Sequence, residues 1–230
     1  MDKNDSRALA DFCKENLDLT TAGFDDEYQS LPLCVIDAVF SIGVKYASTE
    51  NTVKRFCEYF GFQRLSRVKY PDISTQLSIA DFVKLYDNYG IDWMTEQVYQ
   101  NRQRTSTRSG ILKSEAALRF SETLLEFGVY FFQDIDNVIG DPNFETAIKK
   151  IPGQGSGISL RYFYMLAGSD DYIKPDRMMA RFIWSALNKS LSVEETHRLV
   201  VETCKILAAE NPLLTPRSLD HAIWQYQRTQ

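Results

Sequence analysis

Ile151-Pro152-Gly153-Gln154-Gly155-Ser156-Gly157, followed one apolar segment later by Lys174-Pro175-Asp176-Arg177-Met178-Met179-Ala180-Arg181, is the stretch whose reading decides the fold. Pro152-Gly153-Gln154-Gly155 is a tight turn in which both glycines can take positive φ, and it opens straight into a helix. Such a turn leaves backbone N–H groups unpaired at a helix start, where an anion such as phosphate is favoured. Asp176 stands after a proline and ahead of Met178, Met179, Phe182, Ile183, Ala186 and Leu187, an amphipathic helical run. A carboxylate at that point caps the helix, which is worth about 0.5–2 kcal/mol with or without chemistry.

Outward from this stretch the chain reads as helices joined by short loops, with little period-two alternation. Helices are expected over 5–17, 32–47, 50–61, 78–88, 92–101, 113–133, 143–149, 177–189, 192–209 and 216–227, with a turn through Thr20, Thr21 and Gly23. In 32–47, Leu33, Ile36, Val39, Phe40 and Val44 recur at helical spacing, so this is the expected central, buried helix. Residues 103–110 (Gln103-Arg104-Thr105-Ser106-Thr107-Arg108-Ser109-Gly110) are the least regular, and suit either a solvent loop or a phosphate-contacting one. Tyr86, Tyr89, Trp93 and Tyr99 form an aromatic row that fits a core, or a platform on which a base stacks.

Composition bounds the rest. A chain of 230 residues with 44% hydrophobic content has ample material for a core in one or two domains. No apolar run approaches the roughly 20 residues that span a bilayer, and Met1-Asp2-Lys3-Asn4-Asp5 lacks the apolar core of a signal peptide. A cytoplasmic protein without a membrane partner is therefore expected. Cys13, Cys34, Cys57 and Cys204 are scattered over apolar helical faces and read as buried free thiols. His197 and His221 are too isolated for a metal site or a catalytic dyad. The net charge of −5 opposes a nucleic-acid partner, but eight acids and three bases in residues 1–30 account for all of it. Residues 54–119 carry eleven bases against seven acids, among them Arg64, Arg67, Lys69, Arg102, Arg104, Arg108 and Lys113. These read as a solvated face or as a basic rim.

Together, Ile151, Pro152, Gly153, Gly155, Asp176 and Arg181 resemble the signature of the helix-hairpin-helix DNA glycosylase superfamily: an aliphatic-Pro-Gly-x-Gly hairpin, then one helix later an aspartate and an arginine. The resemblance covers roughly residues 33–185. It implies an all-α fold of two helical subdomains with a helix-hairpin-helix motif and a cleft between them. Residues 31–170 would form one subdomain, and 1–30 with 171–230 the other. It implies a monomer whose partner is double-stranded DNA carrying a damaged or modified base, with Asp176 as the catalytic carboxylate. DNA contacts would come from Gly153, Gln154, Gly155, Ser156 and Gly157, from Lys45 and Tyr46, and from Arg181. A sodium or potassium ion on the carbonyls of Ile151 and Gly153 would be the one accessory group, with no side-chain metal site and no other cofactor.

Three departures refine the expectation. Gly157 stands where bifunctional members carry the lysine that forms a Schiff base, so a monofunctional enzyme that uses water and leaves an abasic site is implied. Lys149 and Lys150 lie upstream and read as surface residues. Gly43, in Val39-Phe40-Ser41-Ile42-Gly43-Val44-Lys45-Tyr46, occupies the place of a glutamine that reaches into the gap left by the flipped base, which passes that role to Lys45, Tyr46 or another loop. Only Cys204 lies where several members hold an iron–sulfur cluster, so no cluster is expected. An alkylated base and a bulky phage-type modified cytosine both fit as substrates. Two readings from other classes stand beside the enzyme: a non-catalytic hairpin module that binds DNA, and a helical protein-interaction domain.

Overall fold

The computed structural model describes residues 3–19 and 27–230. Its elements are α1 (Lys3–Asn16), β1 (Glu27–Tyr28), α2 (Leu31–Phe40), α3 (Tyr46–Phe60), β2 (Leu65–Ser66), α4 (Ile79–Trp93), α5 (Lys113–Glu126), α6 (Pro142–Lys149), α7 (Ile158–Leu166), α8 (Arg177–Leu187), α9 (Val193–Leu207) and α10 (Pro216–Thr229). The fold is thus mostly helical, and β1 and β2 pair as a two-residue antiparallel ribbon. Among the described residues no helix is long and apolar enough to cross a membrane. The turn expected at Thr20, Thr21 and Gly23 lies outside the described residues.

The chain divides into two compact bodies, Asp26–Gly168 and Met1–Asp25 with Ser169–Gln230. The first is organised by α2. All ten of its residues are buried, Asp37 included, as expected of a helix apolar on every side. It packs against α3, α5 and α7, and Phe40, Phe56, Phe82 and Tyr99 meet around its C-terminal half with ring centroids 4.9–5.9 Å apart. Burial of each such ring removes enough apolar surface to stabilise the fold by about 1.5–3 kcal/mol. Tyr86 and Tyr99 of the aromatic row belong to this core and join their hydroxyls at 2.8 Å, whereas Tyr89 and Trp93 stay 45% and 47% exposed.

In the second body α1 packs on α8 and α9, and α10 packs on the same pair. Leu9, Cys13, Ile173, Phe182, Ile183, Leu199, Val200, Cys204, Leu207, Leu219 and Ile223 form its core. All four cysteines of the chain are buried free thiols. Burial pushes the Cys13 thiol up to about 12 and Cys204 to about 11.

Two expected helices end early, and a third boundary is set by a glycine. The helix expected over 32–47 stops at Phe40; Gly43 takes φ 68 in the turn that follows, a conformation a β-carbon would strain, and α3 begins at Tyr46. The pair expected over 78–88 and 92–101 is divided as expected: Gly90, at φ 78 and ψ 159, breaks the run Ile79–Trp93, and the second piece passes into a π-helical turn at Met94–Val98. The helix expected over 113–133 ends at Glu126, and a separate 3-10 turn covers Phe132–Asn137.

Candidate functional site

The turn at 150–157 is built by α6 and α7. Asp141 caps α6 through Asn143 N–H at 2.7 Å, and Lys150 and Ile151 close its last turn onto the carbonyls of Ala147 and Ile148. Gln154 then donates its amide to Ile151 O at 2.9 Å, and Gly157 donates its own to Gln154 O at 2.9 Å. Gly157 sits at φ 73 and is the N-cap of α7. These internal bonds sort the five turn residues expected to meet DNA. Gly153, Gly155 and Ser156 are exposed and donate no backbone hydrogen bond among the described residues. Gln154 and Gly157 are buried and their amides are spent inside the turn. Gln154 therefore has a different part from the one expected. Its side chain is 0% exposed, its Oε1 accepts from Ser159 Oγ at the first turn of α7, and its Nε2 is buried without a partner.

Gly153 is fixed by packing as well. A Cβ at that position would stand 2.3 Å from Thr105 Cβ, so only a glycine lets the turn lie against residue 105. The irregular 103–110 stretch is in fact a closed ribbon, with Thr105 N–H on Ile111 O and Lys113 N–H on Gln103 O, both at 2.9 Å. Its tip, with Arg108, is exposed, as is Arg104, which pairs with Leu112 across the ribbon.

The base of this ribbon reaches the turn between α2 and α3. Lys113, 1% exposed at the start of α5, donates Nζ to Phe40 O at 2.8 Å, Ile42 O at 2.7 Å and Gln103 Oε1 at 3.0 Å. It therefore belongs neither to the solvated face nor to the basic rim that composition allowed; its ammonium neutralises the carbonyl end of α2, which has no basic residue of its own. The hairpin turn and the 41–45 turn thus share one neighbour, the 103–113 ribbon. Lys45 is exposed just before α3. Tyr46 is 39% exposed, and burial, then the fields of Asp37 and Glu50, push its phenol up to about 12. Asp37 is 1% exposed and its Oδ2 accepts from Tyr28 Oη at 2.8 Å.

Lys149, partly exposed, lies at the surface beside the turn. Its chain lies over the turn, so that a Cβ on Gly157 would be 3.0 Å from Lys149 Cε and 3.7 Å from Nζ. Its ammonium is 3.4 Å from Glu145 Oε2. Lys150 is exposed.

Asp176 belongs to the second body. It is half-buried and caps α8: Oδ1 accepts Met178 N–H at 2.7 Å and Met179 N–H at 3.4 Å. Its Oδ2 takes no hydrogen bond among the described residues. Arg181, one turn further along α8, is exposed. Among the described residues no group of three or more His, Cys, Asp or Glu side chains is placed to hold a metal ion.

Sequence reading missed the parts played by Lys113 and Thr105, and missed Asp220 altogether. Asp220 accepts Lys174 N–H at 2.9 Å two residues before Asp176. One signal for it was available: Arg217, Asp220 and Ile223 recur at helical spacing, which sets two charged side chains in line with a core isoleucine.

Residues 7–228 match the family model described as "Domain of unknown function (DUF8548)", and the chain belongs to that family. No curated protein and no solved structure matches it.

Proposed function

For this member of the family we propose a monofunctional DNA glycosylase, acting on double-stranded DNA that carries a damaged or modified base. The observation that carries the reading is Asp176: one carboxylate oxygen is committed to the helix cap while the other is left without a partner, one helix after a turn with exposed amides. The cap explains Oδ1 in full and leaves Oδ2 available for chemistry.

In the reaction the bond between C1′ of the deoxyribose and the base nitrogen breaks, and positive charge develops on the sugar. Asp176 stabilises that charge and orients a water, whose oxygen bonds to C1′ while its proton passes to the carboxylate and on to solvent. The base leaves with the bonding electron pair and is protonated by solvent. The amides of Gly153, Gly155 and Ser156 hold a phosphate of the same strand, with Lys149 beside them; Lys45, Tyr46 and Arg181 add contacts that set register rather than base identity. Carbonyl oxygens are suitable donors for a sodium or potassium ion, and Ile151 O, with Gln154 N–H on one lone pair, has a second to give. Such an ion on Ile151 and Gly153 would add positive charge under the phosphate.

With no nucleophilic side chain at Gly157 the product is an abasic site in an intact strand. The test is base release from duplexes bearing alkylated, deaminated or phage-modified bases by the wild type and Asp176→Asn, with and without alkali. The expected result is release by the wild type alone, with strands breaking only after alkali. Salt-dependent binding without release on every substrate would instead identify a DNA-binding module, and neither binding nor release an interaction domain.

A further inference from the structure

The segment that carries the chain into α8 offers few places from which it can be held. Lys174 precedes a proline and is restricted to extended backbone, and Pro175 has no N–H. Asp176 N–H folds back onto Lys174 O at 2.7 Å, which closes a three-residue turn around the proline. The amides of residues 175 and 176 are therefore absent or used, and Lys174 N–H is the handle that remains. It is taken by Asp220 Oδ1 at 2.9 Å, from a side chain on α10 that is only 7% exposed.

The same helix holds the start of the segment. Arg217 N–H donates to Asp170 O at 3.1 Å, and Arg217 Nη1 lies 4.0 Å from Asp170 Oδ1. Between these two anchors Ile173 is fully buried, in the same core as Leu219 and Ile223 of α10. A carboxylic acid at position 220 is costly there, because burying an ionised group is unfavourable. An apolar residue of the same size would fill the space without that cost but would leave Lys174 N–H without its acceptor.

We propose that Asp220 is a positioning residue for Asp176: through Lys174 N–H it fixes the Lys174-Pro175-Asp176 turn and so sets the direction in which Asp176 Oδ2 points. The bonds run in series from Asp220 Oδ1 to Lys174, from Lys174 O to Asp176 N–H, and from Asp176 Oδ1 to Met178 N–H at 2.7 Å. Loosening the first leaves the last two to a turn that can rock about Pro175. The inference rests on the glycosylase reading for its catalytic consequence, though the geometry it describes does not depend on activity.

The experiment compares wild type, Asp220→Asn, which keeps an acceptor oxygen, and Asp220→Leu, which keeps only the volume. Single-turnover base release on the substrate found for the wild type should fall about tenfold or more in Asp220→Leu, with DNA affinity within about twofold of wild type. Asp220→Asn should restore the rate to within about threefold. Equal rates for wild type and Asp220→Leu would overturn the proposal, as would equal losses in Leu and Asn. Amide spectra of the same three proteins provide a readout that needs no substrate. The Met178 and Met179 amides should shift in Asp220→Leu and hold in Asp220→Asn; no shift in Asp220→Leu overturns the proposal even if the wild type releases no base, an outcome that by itself removes only the glycosylase reading.

Discussion

Lys149 Cε would stand 3.0 Å from a β-carbon on Gly157, so the lysine stem occupies the space into which any side chain at 157 would grow. The position is closed twice over, since φ 73 at Gly157 also disfavours every residue with a β-carbon. Gly157→Ala should therefore lower stability by about 1–2 kcal/mol. Lys149→Ala removes the contact without relieving the backbone and should recover only part of that loss in the double variant. Urea denaturation of the four proteins measures both terms. The same geometry places an amine beside the turn, which makes borohydride trapping on an abasic duplex the sharp check on monofunctional chemistry. No covalent adduct is expected from wild type; an adduct lost in Lys149→Ala would assign a lyase amine to Lys149.

Gly153 and Gly155 separate packing from DNA contact. A methyl at 153 meets Thr105 Cβ at 2.3 Å, whereas at 155 the nearest atom is Lys149 O at 3.8 Å. Gly153→Ala should cost more than about 2 kcal/mol and blur any effect on binding. Gly155→Ala should leave stability within about 0.5 kcal/mol while lowering affinity for duplex DNA, because the exposed amide is then shielded from a phosphate. Unchanged affinity at constant salt in Gly155→Ala would argue against a phosphate on this turn.

Lys113 is the third target. Its replacement by methionine keeps the stem and removes the ammonium from Phe40 O, Ile42 O and Gln103 Oε1. Leaving one buried and two part-buried acceptors without the ammonium should destabilise the protein by about 3 kcal/mol. Hydrogen exchange should also quicken at Gly43–Lys45, since the 41–45 turn loses its internal tie. A midpoint within error of wild type would mean that water reaches these carbonyls.

Much of this framework is legible in the sequence, and the boundary of legibility has a physical cause. Periodicity locates α8, α9 and α10 within a few residues, because amphipathic spacing and capping residues such as Ser192 and Thr215 are local signals. It runs α2 on through Gly43, since Val44 keeps helical phase with Phe40 and phase alone does not report a positive φ. At the site, Asp176 as a cap and the Pro152-Gly153 turn can be read directly. The fate of Gln154 cannot, because a polar residue in a glycine-rich turn reads as exposed and its burial depends on Ser159 and on how the turn folds back. The partners of Lys113 and Asp220 are illegible for the same reason. Each is defined by the partner it finds far along the chain, Phe40 in one case and Lys174 in the other.

Asp220 also gives the protein a pH signature that can be isolated by one substitution. Burial, with a smaller contribution from the nearby Asp176 carboxylate, raises its carboxyl from 3.8 to about 7, against the opposing pull of the Lys174 amide and ammonium. Between those two values the folded protein holds a proton that the unfolded chain has released. Stability from this group is therefore fully present below about pH 4, is lost as pH rises through the interval, and changes no further above the folded value. The full span corresponds to about 4 kcal/mol. Asp220→Asn cannot titrate, so the stability of wild type relative to this variant should decline steadily from pH 4.5 to pH 7.5 in urea titrations. Other acids act in the opposite sense, Asp81 being held low by Ser78 and Lys84, but they are common to both proteins and cancel in the difference. Adding Asp176→Asn removes one of the causes of the upward shift, so in that background the decline should end at a lower pH. A difference that stays flat with pH would mean that Asp220 is ionised throughout and that water reaches the face of α10 it occupies.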